Sequence, residues 1–555
     1  MLSLCLHARD AGAAWAPAPG GWSAGRSAIL PYPHPALHAC MLVSPRRTAV
    51  VVRERIHGEP QPGDALAVTR CGEGRLDREL AAARSWPLDF LELLITRREG
   101  GAEVRLRCGR WGTAPVYLMA RGGTLRADWD VARLYPFLRS HRLEPALAAQ
   151  YLLELGHPYS RRTLFPGVWM LTERATASWS PPSGDLAVVY PRPERHARAQ
   201  RLGSRARVAA TFRDILSSSM RRWLTPEDGP VAVELSGGLD SSIVAATAAG
   251  IRPGGVRSYG MLMPGRPGGH QRARRNEVVR RFGLLDRARR CTDHPPFHPG
   301  SRRVRGLAVV PWGEFYEEAV GAMLERAASD GARLIFTGLG GDELCSYQPG
   351  EIDGAEGGDP DREDGGPAAG AARYPPFVTA AVRDAYEARG ELSDDAPQAL
   401  LETSALESAA AVSTLHLRTG VWPASPLCTP ELVEFCRRLP PAWRHERVVE
   451  RKVLRSLGCS PAVANPRPEH LETFNEVMER ALRHASSAVI RGLFRDSRLA
   501  DQGLVERDRL LAAYARYRRG DQRHAEWILG AVVLELTVRS VEQGRASRLA
   551  PPLRA

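Results

Sequence analysis

The run Val231-Ala232-Val233-Glu234-Leu235-Ser236-Gly237-Gly238-Leu239-Asp240-Ser241-Ser242 constrains this chain more than any other stretch. Its apolar, β-branched opening reads as a strand, the paired glycines as a tight turn, and the residues after Leu239 as a helix. A strand that passes through a glycine turn directly into a helix is the opening unit of an α/β sheet. Apolar residues at helical spacing (Val208, Phe212, Ile215, Leu216, Met220, Leu224) place another helix over 207–224, just before it. Two more strands are expected around 257–263 and 332–338, each leading into a glycine-rich turn. Such sheets bind ligands at the carboxyl ends of their strands. Glycines there admit a polyphosphate close to the backbone, serine hydroxyls and helix N-terminal amides donate to its oxygens, and an aspartate can hold a divalent cation.

The chain has 555 residues, enough for two to four domains at about 100 to 200 residues each. With 43% hydrophobic and 25% charged residues it has the usage of a folded chain, which excludes a disordered one. From about residue 40 to 180, short apolar runs such as 48–52 and 115–120 alternate with Gly, Pro and charged turns, which reads as a strand-rich domain with a helix over 145–155. The proline-containing stretch 180–200 reads as a linker, giving domains 1–200 and 201–555. From about residue 398 the text is mainly helical. The acidic, low-complexity segment 351–366 is expected to be a mobile loop. Segment 271–306 carries 11 arginines against Glu277, Asp286 and Asp293, and reads as a solvated helix and loop rather than a dedicated anion site.

The net charge is +13, yet Lys452 is the single lysine among 76 basic residues. A compact ammonium does what a guanidinium does poorly where it must approach a reacting oxygen, so a lysine that survives such a bias is a functional candidate. The nine cysteines form no C-x-x-C pair and are odd in number, unlike a disulfide framework or a zinc site. The start lacks a basic region ahead of its apolar run, and no stretch reaches the roughly 18 apolar residues of a membrane span. A cytoplasmic protein without a membrane partner is the expectation.

At Ser236-Gly237-Gly238-Leu239-Asp240-Ser241-Ser242 the chain resembles the PP-loop ATP pyrophosphatases (adenine nucleotide alpha hydrolase-like), which cleave ATP to AMP and pyrophosphate. Thr337-Gly338-Leu339-Gly340-Gly341-Asp342-Glu343-Leu344 resembles the second loop of the asparagine synthetase branch. The resemblance implies ATP and Mg²⁺ as cofactors, with Asp240 and Asp342 as the metal-holding carboxylates. It implies nucleotide contacts at Leu235, Ser236, Gly237, Gly238, Asp240, Ser241, Ser242, Met261 and Gly338. Arg451-Lys452-Val453-Leu454-Arg455 resembles the family's K-x-x-L-R element, which would make Lys452 catalytic, neutralising charge on the α-phosphate and on the tetrahedral intermediate. Residues 425–440 resemble the P-F-L-D helix, with Cys428 or Thr429 where the family has aspartate.

Gly112-Thr113-Ala114-Pro115-Val116-Tyr117 and Thr163-Leu164-Phe165-Pro166-Gly167-Val168 resemble segments of an Ntn-type glutaminase, implying an αββα amino-terminal domain. Glutaminases expose a cysteine directly after the initiator Met; here Leu2 and Ser3 follow, so the domain is expected to be a degenerate one that releases no ammonia. An enzyme that activates carboxylates without making ammonia is expected to use an amine already on its substrate. Leu339 stands where β-lactam synthetases have tyrosine and asparagine synthetases glutamate, which favours the lasso-peptide macrolactam cyclases. Gly20-Gly21-Trp22 and residues 416–423 are similar to the albusnodin-type group. The implied substrate is a precursor core peptide, with a leader-binding protein and a leader peptidase as partners. Alternatives are a small-molecule β-lactam-type or asparagine synthetase-like amide ligase, a tRNA-modifying PP-loop enzyme, for which no nucleic-acid module is recognisable, and a non-catalytic nucleotide-binding scaffold.

Overall fold

The computed structural model describes residues 1–549 except 60–65, 100, 182, 196, 204, 225–229, 348–350, 352–373, 389–393 and 468–474. Residues 2–189 form two seven-stranded sheets. The first runs, in spatial order, Trp169–Met170, Tyr117–Arg121, Thr124–Asp128, Leu2–His7, Ser27–Pro31, Gly21–Ala24 and Ala16–Ala18. The second runs Leu186–Val189, Thr176–Trp179, Gly101–Cys108, Phe90–Arg98, Arg47–Glu54, Leu37–Val43 and Val68–Arg70, antiparallel but for its last pair. Strand alternation sorts the side chains by layer. Val50, Val52, Leu93 and Leu118 fill the core between the sheets, while Ala49 and Val51 face the helix Glu73–Arg84 through Leu76, Leu80 and Ala83. Tyr117 and Met119, on the opposite face of their strand, join the core shared with the rest of the chain.

The strand-rich region therefore begins at Leu2, well before residue 40. It also extends into the expected linker, because Leu186–Val189 pairs in register with Thr176–Trp179.

The remainder is built on a five-stranded parallel sheet in the order Leu285–Asp286, Val256–Tyr259, Val231–Glu234, Leu334–Phe336, Trp422–Ala424. The glycine-turn strand lies in its centre. Its last strand is a three-residue element set among the helices that make up most of the chain beyond residue 398. The arginine-rich segment is also not simply solvated. Arg274, Arg275 and Arg303 are buried, held by the Gly237 carbonyl, Asp286 and Glu318 respectively. Of the acidic segment 351–366, only Glu351 is among the described residues, and its carboxylate accepts from Arg444 at 2.5 Å. The 25-residue helix Ala525–Leu549 buries side chains all round, from Ile528 to Val541, against Val131–Phe137 and Pro145–Glu154. Among the described residues no helix is long and apolar enough to cross a membrane.

A buried carboxylate joins the two halves. Glu54 accepts from Trp422 Nε1 at 2.6 Å, from Trp223 Nε1 at 3.3 Å and from the Asp89 amide at 2.8 Å; Asp89 in turn accepts from the Thr113 amide at 2.8 Å. Burial pushes Glu54 up to about 7 and Asp89 up to about 6, with the charge of Asp89 adding to the Glu54 shift. Both groups hold protons more tightly folded than unfolded. Their burial thus costs nothing at low pH and weighs increasingly on stability as pH rises from about 4.5 to 7. Denaturant melts should show stability falling across that window by on the order of 3 kcal/mol from Glu54. Glu54→Gln should flatten the slope there; an unchanged slope would mean that Glu54 does not titrate on folding.

Candidate functional site

The first loop is shaped by its own short side chains. The Leu235 amide donates to the Tyr259 carbonyl at 2.7 Å, ending the ladder, and the backbone then turns through Gly237 at φ +94°, a conformation that excludes a side chain at little cost only for glycine. Ser236 Oγ accepts from the Gly238 amide at 3.1 Å and lies 3.0 Å from Ser241 Oγ, which also accepts from the Ser236 amide at 3.2 Å. Buried Arg274 donates to the Gly237 carbonyl at 2.9 Å, fixing the turn from below. Gly238 caps the helix Leu239–Ile251, whose N-terminus opens at the carboxyl edge of the sheet. Ser242 is fully buried and its Oγ has no hydrogen-bond partner among the described residues.

The second loop is pressed onto the first. A methyl group at Gly338 would sit 2.9 Å from the Ser241 amide nitrogen, and one at Gly341 would overlap the Asp240 carboxylate. Thr337 ties this loop to the last strand, its amide donating to the Ala424 carbonyl at 2.9 Å. Cys428 Sγ donates to the Leu339 carbonyl at 3.4 Å. Across these contacts Asp240 and Asp342, about 100 residues apart in sequence, converge on one cation, the guanidinium of Arg447. Its Nη2 meets Asp240, its Nη1 meets Asp342, and its Nε donates to buried Glu450 at 2.5 Å. Arg447 and Glu446 both have positive φ, +60° and +44°, at the entry to the helix Val448–Ser456. Two hard oxygen donors around one positive charge, beside glycine-cleared amides, suit a divalent cation that keeps its other positions for phosphate and water.

A cavity of about 560 Å³ opens beside both loops. Leu235, Ser236, Asp240, Ser241, Met261 and Gly338 line it, so six of the expected nucleotide contacts share one space. Gly237, Gly238 and Ser242 shape the loop behind them. Met261 is held by buried Gln271, which donates to its carbonyl at 3.0 Å and accepts from the Met263 amide at 2.8 Å. Trp111 and Thr113, from the two-sheet region, form part of the wall. A larger groove of about 940 Å³ lies elsewhere, around Tyr32, Trp129 and Arg302, and contains neither loop.

Lys452 is not brought to this space. It is exposed, its Nζ lies 4.0 Å from the centroid of the Trp443 ring, and it is not among the cavity's lining residues. The reason is helical phase: Val449, Glu450, Val453 and Leu454 form the buried face, and the two residues from Glu450 to Lys452 turn the helix by about 200°. Counted back from Leu454-Arg455, the K-x-x-L-R spacing falls on Arg451, one position before the lysine. Arg451 donates Nε to the Glu446 carbonyl at 2.5 Å and Nη1 to Asn465.

Residues that sequence reasoning passed over also meet here. Glu234 ends the central strand with its side chain toward the helices Glu317–Ser329 and Thr403–Thr419, and its Oε1 lies 3.1 Å from Nε2 of buried His416. Glu314 lines the same recess, its carboxylate accepting from the Tyr316 amide at 2.9 Å; burial, with the charge of Glu234 adding to it, raises its pKa. A charged residue closing an otherwise apolar strand was the available signal for Glu234. Arg447 had none, being one arginine among many.

The family model described as Asparagine synthase matches residues 211–539. No curated protein matches the chain.

Proposed function

Because the chain belongs to the asparagine synthase family, whose members are ATP-dependent, AMP-forming ligases of carbon–nitrogen bonds, we propose that it closes an amide within a ribosomally made peptide of the lasso type. In this reading an Asp or Glu side chain of the core peptide is adenylated, pyrophosphate leaves, and the peptide's own α-amine displaces AMP. Leu235, Ser236, Gly237, Gly238, Ser241, Ser242, Met261 and Gly338 cradle the nucleotide. Asp240 and Asp342 are the residues that would hold Mg²⁺, a reading supported by the way both carboxylates turn to one positive charge, the Arg447 guanidinium. Mg²⁺ there would neutralise phosphate charge.

The observation that supports a peptide over a free amino acid is the cavity wall. Among the described residues that line it there is no arginine or lysine, while Leu339, Leu401, Ala405, Ala409 and Val412 make one side apolar. A free amino acid would bring an α-carboxylate with no cation to meet it, whereas in a peptide that carboxylate is an amide. The two ends of one chain held in the cavity also gain the large effective molarity of an intramolecular reaction, roughly 10⁵ to 10⁸ M when well oriented.

Residues 1–200 are then an Ntn-type, glutaminase-like domain used as a wall, through Trp111 and Thr113, of the ligase domain 201–555. A leader-binding protein and a leader peptidase acting in the cytoplasm would deliver the core peptide.

The test is incubation of the protein with Mg-ATP and the leader-free peptide encoded beside its gene, followed by mass spectrometry and AMP analysis. Loss of one water from the peptide with matching AMP is expected. AMP without dehydrated peptide would move the reading to a small-molecule or RNA acceptor, and no AMP with verified, folded components would overturn the enzymatic reading.

A further inference from the structure

The Glu234–His416 contact has a proton count that its geometry imposes. Nδ1 of His416 lies 3.0 Å from the Val412 carbonyl, which can only accept, so Nδ1 carries a hydrogen. Nε2 then faces Glu234 Oε1 at 3.1 Å, and a proton must lie between these two atoms for the contact to be attractive. His416 is 2% exposed and Glu234 27%, and both line the cavity, Glu234 with much the larger open surface. Glu314 stands on the same wall, enclosed by protein on its other sides. These groups lie under the strand end from which the nucleotide loop springs, in a recess whose remaining lining is largely apolar.

Resting on the reading of the chain as an amide-forming ligase, we propose that Glu234, backed by His416, receives the proton of the attacking amine. The amine arrives as an ammonium at Glu234 and Glu314, the two carboxylates of the recess. Its proton passes to Glu234 Oε2 while the proton shared between Oε1 and Nε2 is taken by His416 Nε2, so the positive charge ends on the imidazole. The freed lone pair forms the C–N bond to the acyl carbon. The C–O bond to the α-phosphate breaks with its electron pair going to AMP, and the second nitrogen proton leaves with the departing phosphate or to solvent. The carboxylate of Glu314 offsets the charge left on His416. Glu234 touches the substrate and is the catalytic residue; His416 acts through it.

The experiment separates the two half-reactions in Glu234→Gln and His416→Asn, using the leader-free peptide with Mg-ATP. General acid–base groups contribute about 10²- to 10⁴-fold, and amide formation is expected to fall about 10²-fold in each variant. Peptide-dependent exchange of pyrophosphate into ATP should change by less than about threefold. Hydroxylamine, largely neutral at pH 7 and needing no base, should still capture the activated carboxylate as a hydroxamate at close to the wild-type rate. Thermal melts identify a variant that has not folded, in which case the other variant carries the test. Amide formation near wild type in a folded variant overturns the assignment, and so does a parallel fall in exchange, hydroxamate and amide, which marks a structural role. Absence of peptide-dependent exchange in the wild-type protein overturns the peptide reading itself and the assignment with it.

Discussion

Asp240→Asn should lower peptide-dependent pyrophosphate exchange by about 10³-fold or more while leaving the thermal melt close to that of the wild-type protein. The substitution keeps the volume of the side chain and removes one of the two loop carboxylates that meet the Arg447 guanidinium. Charge neutralisation of a polyphosphate by a bound cation is worth several kcal/mol, and each 1.36 kcal/mol is tenfold in rate. The fold has little reason to respond. Asp240 lies at the N-terminus of its helix, where the favourable interaction of a carboxylate with the helix dipole is worth only about 0.3 to 1 kcal/mol, and the Gly341 backbone that packs on it meets a side chain of the same shape. The same substitution should raise the Mg²⁺ concentration needed for half-maximal exchange. Asp342→Asn is expected to behave alike, since both carboxylates face the same guanidinium. Exchange within tenfold of wild type in Asp240→Asn would mean that the loop binds something other than a metal-bound polyphosphate.

Much of this site was legible because its constraints are local. Gly237 must adopt a positive φ directly after a strand, and Gly338 and Gly341 must let a second loop lie against Ser241 and Asp240, so the glycines announce the loops in sequence. The helices Val208–Arg221 and Pro145–Glu154 were likewise visible as spacing. Elements fixed by distant partners were not. Trp422–Ala424 is three residues with a central proline, and what makes it a strand is pairing with Leu334–Phe336 and the bond from Trp422 to Glu54, 368 positions away. Leu186–Val189 sits in text that reads as linker, and only register with Thr176–Trp179 makes it a strand. Burial of charge is similarly silent: Arg274 and Arg303 look like solvated arginines until the Gly237 carbonyl and Glu318 are placed against them. The lone lysine misled for the complementary reason, since rarity in composition carries no information about which face of a helix a residue occupies.

That difference between rarity and placement predicts opposite outcomes on one short helix. Arg447→Ala should reduce amide formation by about 10³-fold, and Lys452→Ala by less than about threefold. Arg447 is held by Asp240, Asp342 and Glu450 at the mouth of the first glycine loop, where its guanidinium would meet phosphate oxygens were the carboxylates to hold a metal. Arginines that stabilise phosphoryl transition states are worth roughly 10³- to 10⁵-fold. Lys452 instead rests on the Trp443 ring on an exposed face, a contact of about 0.5 to 1 kcal/mol at such sites. A second readout does not depend on turnover. Removing the guanidinium leaves Asp240, Asp342 and Glu450 without their common cation, so Mg²⁺ alone should raise the melting temperature of Arg447→Ala more than that of the wild type. Low millimolar guanidinium ion should restore part of the lost activity in Arg447→Ala and none in Asp240→Asn. If Lys452→Ala abolished product while Arg447→Ala did not, the helix Val448–Ser456 would have to turn by more than a third of a revolution when substrate binds. That would break the packing of Val449, Val453 and Leu454, so the pair of variants decides between a preformed site and one assembled by its ligands.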